Sequence, residues 1–428
     1  MIDIKLIREN PGLVKENIKK KFQEDKISLV DKVLKLDEEW RGLKYKEDGF
    51  RSERNKISQK INELKKDKKD AKSEIKQAKE IPKKIEKLQE KRRKLEDDIK
   101  EIMYKIPNII HKSVPIGKDE SKNKVVKKFG KLPKFSFKVK NHVELAEELG
   151  LVDFDIPAKV SGKGFYYLKN KLALLNQALI RFSIDFMKKK RYGYIETPLM
   201  LNENSIYASM DKQAIEESVY SIKDEDLNLI GTAEQSLLAM HSDQAIPEDK
   251  LPKKYFSYSM CFRKEIGSHG INEKGLWRTH QFNKVEQFIF CKPEDSEKFY
   301  NELLKNSEEI MQALELPYRV LEMCSGDLSD WKHRSADIEV YRPTIKQYGE
   351  VGSLSNCTDY QARKLGIRVF NKKGERKILY TLNNTVLATS RILVAILENF
   401  QQKNGSIKIP KVLWKYTGFK EIKNEKNN

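Results

Sequence analysis

Between Phe256 and Phe290 the chain reads FSYSMCFRKEIGSHGINEKGLWRTHQFNKVEQFIF. Two strand-like stretches flank a loop holding Gly267, Gly270 and Gly275, the layout of a long hairpin. Alternate residues of a strand share a face. The first stretch therefore groups Cys261, Arg263 and Glu265, and the second groups Arg278, His280, Phe282, Lys284 and Glu286. An ordinary half-buried strand turns apolar residues to one side. Here that side carries cations, an aromatic ring and carboxylates, which suits a charged, planar ligand better than a solvent-facing surface of alternating charge pairs.

Such a site needs a scaffold and a partner of matching charge. A length of 428 residues suggests two or three domains. Lys and Arg number 84 against 64 Asp and Glu, a net +20, which points to a polyanion: nucleic acid or an anionic membrane surface. The membrane is the weaker option. The most apolar helical stretch, Val386 to Leu397, is too short to span a bilayer and contains Arg391, and the first ten residues (Asp3, Lys5, Arg8 and Glu9 among them) hold no signal-peptide block. Cys261, Cys291, Cys324 and Cys357 are too scattered for a disulfide scaffold or a zinc ribbon. The expected class is a soluble intracellular protein that meets nucleic acid.

Up to Ile110 there are 32 basic and 23 acidic residues, with Gly and Pro scarce. Ile81, Ile85, Leu88, Leu95, Ile99, Ile102 and Ile106 step by four and three, Arg92 filling the missing place; Phe50, Ile57, Ile61 and Leu64 repeat the spacing with Arg54 in the gap. Two such stripes predict an antiparallel helical hairpin over 1–110, with Lys65–Glu74 near its tip and Pro82 in the first turn of the returning helix or at a kink. Lys65–Lys94 holds 14 basic and 6 acidic residues and no aromatic one. That favours tracking the backbone of a folded RNA over stacking on single-stranded bases. Residues 111–133, mixing Pro, Gly, Ser and Asn, read as a linker, and 134–428 as one α+β domain.

CFRKE…GLWRTHQF resembles motif 2 of the class II aminoacyl-tRNA synthetases in the form found in seryl-tRNA synthetases. MIDIKLIRENPGLVKENIKKK resembles that family's amino-terminal signature, and RYGYIETPLM, with Pro198 near its end, its dimer-forming motif 1. Thr232-Ala233-Glu234 is similar to its serine-binding triplet, and EVGSLSNCTDYQARKLGIR with TLNNTVLATSRILVAILENFQ to motif 3 in an archaeal or eukaryotic form. The resemblance spans essentially the whole chain and is to the ordinary, zinc-free type.

It implies an antiparallel-sheet catalytic domain flanked by helices behind a two-helix coiled-coil arm, working as a cytoplasmic homodimer that joins L-serine to tRNA-Ser with ATP and Mg2+; tRNA-Sec as a second acceptor stays open. It implies Arg263 on the α-phosphate and the serine carboxylate, Glu265 on the adenine edge, Phe282 stacking on adenine, and Arg391 on its other side or at the γ-phosphate. Lys264, Thr279, Val351 and Gly352 would complete the ATP site, with Glu350 and Ser353 positioning ATP and Mg2+. Thr232, Ala233, Glu234, Glu286 and Thr385 would form the serine pocket, Glu286 and Thr385 on the hydroxyl. A pocket built to hydrogen-bond a hydroxyl rejects alanine, leaving threonine to be excluded by fit.

Two departures from the family stand out: Lys264 replaces the usual Ser, and Asn384-Thr385-Val386 replaces Gly-Ser-Gly or Ser-Thr-Ala. His241, His269, His280 and His333 share no metal-ligand spacing and read as surface or hydrogen-bonded residues, and Cys261 and Cys291 as buried thiols. Two alternatives stand beside ligation: a paralogue that loads a non-tRNA acceptor, and a non-catalytic RNA-binding scaffold.

Overall fold

The computed structural model describes residues 1–210, 212–266 and 274–423, and the chain divides into two compact units, Met1–Pro107 and Asn108–Asn428. Gly267, His269 and Gly270 of the expected loop lie outside the described residues.

In the first unit α1 (Ile27–Lys66) and α2 (Lys72–Met103) form the hairpin. At about 1.5 Å per residue they extend roughly 60 and 48 Å. Ile57, Ile81 and Ile85 are buried together, with Phe50, Ile61 and Ala78 against them, so the two stripes do face each other. Arg92 fills its gap by chemistry rather than apolarity. Its guanidinium reaches Glu47 Oε2 at 3.1 Å and lies 5.3 Å from the Trp40 ring centre, and Gln89 and Arg51 bind Glu47 Oε1 at 3.0 and 2.8 Å. The Glu47 side chain is 1% exposed. The first-turn placement of Pro82 is overturned. Lys72–Glu80 is rich in strong helix formers, and Asp70 Oδ1 accepts the Lys72 N–H at 3.0 Å, so α2 starts early and runs through Pro82. The lost N–H bond is offset by Ile81 and Ile85 packing on either side.

The larger unit is built on eight strands: β1 (Lys124–Phe129), β2 (Gly193–Tyr194), β3 (Lys253–Phe262), β4 (Gln281–Cys291), β5 (Tyr318–Glu322), β6 (Arg334–Arg342), β7 (Gln347–Thr358) and β8 (Tyr380–Ala388). Their spatial order is β1-β5-β6-β7-β8-β4-β3-β2, antiparallel throughout except for the parallel β2–β3 pair. Five helices matter to the site: α3 (His142–Glu148), α4 (Asn170–Lys189), α5 (Ala233–Ala239), α6 (Ser296–Ala313) and α7 (Thr389–Asn399). The expected α+β class and dominant antiparallel sheet are what the chain forms. Among the described residues no helix is long and apolar enough to cross a membrane.

The segment read as a linker is part of this unit. Pro115 O, Gly117 O and Asn123 Oδ1 accept the backbone N–H groups of Ser325, Gly326 and Cys324, each at 2.8 Å, while 124–129 adds β1 to the sheet edge beside β5. Its Pro, Gly and Asn residues mark turns rather than freedom, because these N–H groups and a strand edge satisfy its polar groups.

Alternation along β4 sets up the site. Val285 and Ile289 join the main core, and Gln287 bonds Leu303 O and Ser307 Oγ of α6. On the other face Phe288 and Phe290 are buried with Leu237 and Leu238 of α5. Phe282, Lys284 and Glu286 on that same face line a cavity instead.

Beyond the sheet, Glu398 of α7 is fully buried and accepts from His142, Arg342 and Thr344. Burial opposes its charge, but these donors win and hold its carboxyl down to about 2 from an ordinary 4.5. A depressed carboxylate contributes stability that is complete above its unfolded value and lost as pH falls through the folded one. Melting temperature should therefore decline as pH falls from 4.5 towards 2. In Glu398→Gln it should start lower at neutral pH and vary less with acid, as thermal melts across that window would record.

Candidate active site

The cavity, about 490 Å3, opens over the shared face of β7, β8 and β4. Its inner end is built from hydroxyls and carboxylates. Thr232 caps α5 by accepting the Glu234 N–H, and its Oγ1 lies 3.4 Å from Glu286 Oε2. Thr385, opposite Glu286 in the β8–β4 register, reaches the same oxygen at 3.5 Å, and Lys284 Nζ reaches it at 2.6 Å. Three donors thus converge on one carboxylate oxygen behind a wall that is nearly closed to solvent. Glu234 accepts from Gln361 and Asn383 at 2.8 and 2.9 Å, and burial together with the neighbouring Glu286 charge pushes its carboxyl up.

The outer end is cationic and aromatic. Arg263 donates from Nε to Gly231 O at 3.2 Å and lies 5.3 Å from the Phe282 ring centre. Glu265, in a left-handed conformation at φ 52°, pairs with Arg278 at 3.0 Å. Arg391, at the start of α7, binds Glu350 through both its backbone oxygen (2.8 Å) and its carboxylate (3.0 Å). It sits over Trp277 at 5.6 Å rather than over Phe282.

Four consecutive residues of a regular strand cannot all face one side, yet Glu350, Val351, Gly352 and Ser353 all line the cavity. The reason is a bulge: Ile338 pairs with Gly352 but Glu339 with Glu350, so Val351 is an extra residue. Gly352 abuts Thr385, where an added Cβ would lie 3.1 Å from the threonine Cβ, so the two ends of the cavity share a wall. Asp337 pairs with Ser353 across β6–β7, and burial plus the Glu350 charge raise its carboxyl. Glu350 is itself held low against burial by Arg391.

Arg263, Glu265, Thr279, Phe282, Glu286, Thr232, Glu234, Thr385, Glu350, Val351, Gly352, Ser353 and Arg391 are thus brought together. Four expected residues are not. Cys261 shares the face of Phe282, its partner across the strands, but is buried there beside Ser259 without lining the cavity, and burial pushes its thiol up. His280 turns away, its Nδ1 facing Arg263 O at 2.9 Å and Tyr220 Oη at 3.0 Å, because 274–280 forms bends and strand alternation starts only at Gln281. Lys264 projects to the opposite side of its segment, among residues of a second hollow beside Tyr207 and Asn228. Ala233 is packed inside the first turn of α5. The Asn384 departure resolves the same way. Facing Gln287, it points to α6 and donates to Leu303 O and Ser307 Oγ at 2.8 Å each, leaving Thr385 on the cavity side.

Trp277, Lys332 and Asp337 also line the cavity, although no sequence pattern points to them. Lys332 Nζ lies 3.3 Å from Ser335 Oγ and 3.4 Å from Ser353 Oγ. Only the β6–β7 register brings these groups to Ser353, and no local spacing encodes it. His241 and His333 are partly enclosed and bonded, to Gln244 and to Ile109 O, and all four cysteines are buried free thiols.

Residues 218–400 match the family model for the tRNA synthetase class II core domain (G, H, P, S and T), and residues 1–110 that for the seryl-tRNA synthetase N-terminal domain. The serine–tRNA ligase of Pyrococcus furiosus is 44% identical over an alignment covering 99% of this chain and 97% of the relative. The crystal structure of seryl-tRNA synthetase from Pyrococcus horikoshii complexed with ATP superposes with a TM-score of 0.92 at 42% identity, covering 99% of each chain. The cytoplasmic serine–tRNA ligase from Naegleria fowleri in complex with AMP gives 0.88 at 31%, again over 99% of each.

Proposed function

Since the chain belongs to the seryl-tRNA synthetase family and its activity is the ATP-dependent ligation of serine to tRNA, we propose that the cavity of Asn108–Asn428 forms seryl-adenylate and that the arm within residues 1–110 grips the tRNA. The catalytic part then begins before residue 134, since 124–129 pairs into its sheet. The observation that carries the assignment is the convergence of Thr232, Thr385 and Lys284 on Glu286 Oε2. It supports a fixed acceptor for the serine hydroxyl, with Glu234 taking the amino group.

The serine carboxylate is its own nucleophile. Its oxygen attacks the α-phosphorus of ATP, the bond to the β-phosphate breaks, and pyrophosphate leaves. The terminal ribose hydroxyl of the tRNA then attacks the seryl carbonyl and AMP departs. The protein supplies position and charge. Arg263 bridges the two oxyanions brought together, Phe282 offers a face to adenine with Glu265 at its edge, and Arg391 meets the phosphate tail.

Mg2+ suits Glu350 and Ser353: a carboxylate and a hydroxyl are hard oxygen donors, and the Asp337 and Glu350 carboxyls resist ionising together, a repulsion a divalent cation relieves. When bound there it would neutralise phosphate charge. The acceptor we assign is tRNA-Ser, with tRNA-Sec as a further candidate. The working form we assign is a homodimer through motif 1 in the cytoplasm.

Serine-dependent ATP–pyrophosphate exchange, followed by charging of a tRNA-Ser transcript, tests the whole reading; exchange without charging contradicts it. Glu286→Gln should raise the serine KM by about 10²-fold while the ATP KM moves little, because a charged acceptor is lost only at the serine end. Equal changes in both constants would contradict the split of the cavity.

A further inference from the structure

His142, on α3, lies outside the cavity and is only 7% exposed, yet both its ring nitrogens are engaged. Nδ1 is 3.2 Å from Glu398 Oε1, and Nε2 is 3.1 Å from the backbone nitrogen of Leu276. A backbone N–H only donates and an ionised carboxylate only accepts, so the ring is the neutral Nδ1–H tautomer. Gly275 leaves room for nothing else there: an added Cβ would lie 2.9 Å from His142 Nε2. The imidazole is therefore wedged under the run that leads into β4.

The next residue is Trp277. Its carbonyl accepts Arg391 Nε at 3.3 Å, and its ring carries Arg342 at 4.4 Å and Arg391 at 5.6 Å from its centre. Gly349 of β7 lets the ring lie against the strand, where a Cβ would come within 2.4 Å of Cζ2. Arg342 is in turn bound to Glu398 at 2.9 Å. Glu398 is thus the root of two supports. Through His142 it fixes the backbone at Leu276, and through Arg342 it fixes the indole. Glu398 and Arg391 lie about two turns apart on one face of α7, so the helix that presents the ligand-facing arginine also carries the anchor of its platform.

We infer that His142 is a positioning residue for adenylate formation, holding Trp277, and through it the Arg391 guanidinium, in its ligand-facing place. This rests on the reading of Arg391 as a group that meets ATP.

The test is pyrophosphate exchange by the full-length protein carrying His142→Phe or His142→Gln, each alone and combined with Arg391→Ala, with thermal melts alongside. His142→Phe should lower kcat/KM for ATP about tenfold and leave the serine KM within about twofold. His142→Gln, whose amide can donate to Glu398 and accept from Leu276, should recover to within about threefold of the parent. Combined with Arg391→Ala, His142→Phe should cost nothing further, since both changes remove one function.

A loss that adds in full to that of Arg391→Ala, or falls equally on serine and ATP, would overturn the inference while leaving the Arg391 reading intact. Undiminished exchange by Arg391→Ala would instead sink that reading, and this inference with it. Should His142→Phe fail to fold, Trp277→Leu must show the same ATP-selective loss, and unchanged exchange there would also overturn the proposal.

Discussion

Arg263→Ala should reduce serine-dependent pyrophosphate exchange by about 10³-fold or more, while the protein still binds tRNA within about twofold of the parent affinity. Arg263 is held by Gly231 O and stands over Phe282, so it is set in place before any substrate arrives. Its planar cation is assigned to the point where carboxylate and α-phosphate oxygens are forced together, and there the transition state carries the most charge. Removing it leaves a Gly231 carbonyl and a phenyl ring, neither of which can meet an oxyanion. The binding half of the expectation follows from Met1–Pro107 being a separate compact unit. Filter-binding and exchange assays on one preparation check both, and a parallel collapse of tRNA affinity would contradict the division of labour.

The complementary change is at the arm. Replacing Lys65, Lys66, Lys69, Lys72 and Lys76, all exposed, with Gln removes five charges around the hairpin tip and leaves the Ile57–Ile81–Ile85 contact intact. Pyrophosphate exchange should not change. Aminoacylation kcat/KM for tRNA should fall by about 10²-fold or more, and the dependence of binding on log salt should flatten by up to about one unit for each phosphate left without its lysine. An unchanged salt slope would mean that these lysines face solvent and that RNA is gripped elsewhere.

Much of this is legible in local sequence because local periodicity encodes it. The heptad stripes could belong only to paired helices, and they pair. The strands around the Arg263–Glu286 run are legible from their flanking apolar alternation. What escapes depends on pairing between distant segments. The bulge at Val351 has no signature in EVGS itself, and Asp337 and Lys332 reach Ser353 only through the β6–β7 register. His280 departs from expectation because period-two counting does not hold in the stretch of bends before β4. The linker reading of 111–133 misses β1 because Pro, Gly and Asn mark a tightly bonded turn as readily as a loose one, and Asn123, bonded to the Cys324 N–H, shows which.

The buried Glu47 has a consequence for how the arm's helices align. Isoleucine seams alone tolerate sliding by a heptad, since one apolar knob resembles the next. Arg51 lies on the same helix as Glu47 and follows it in any alignment, but Arg92 and Gln89 come from the opposite helix, so a slipped alignment takes two of the three donors from a buried carboxylate. The pairing of the two helices is therefore pinned in the middle of the arm, and substitutions at the tip leave that alignment where it is.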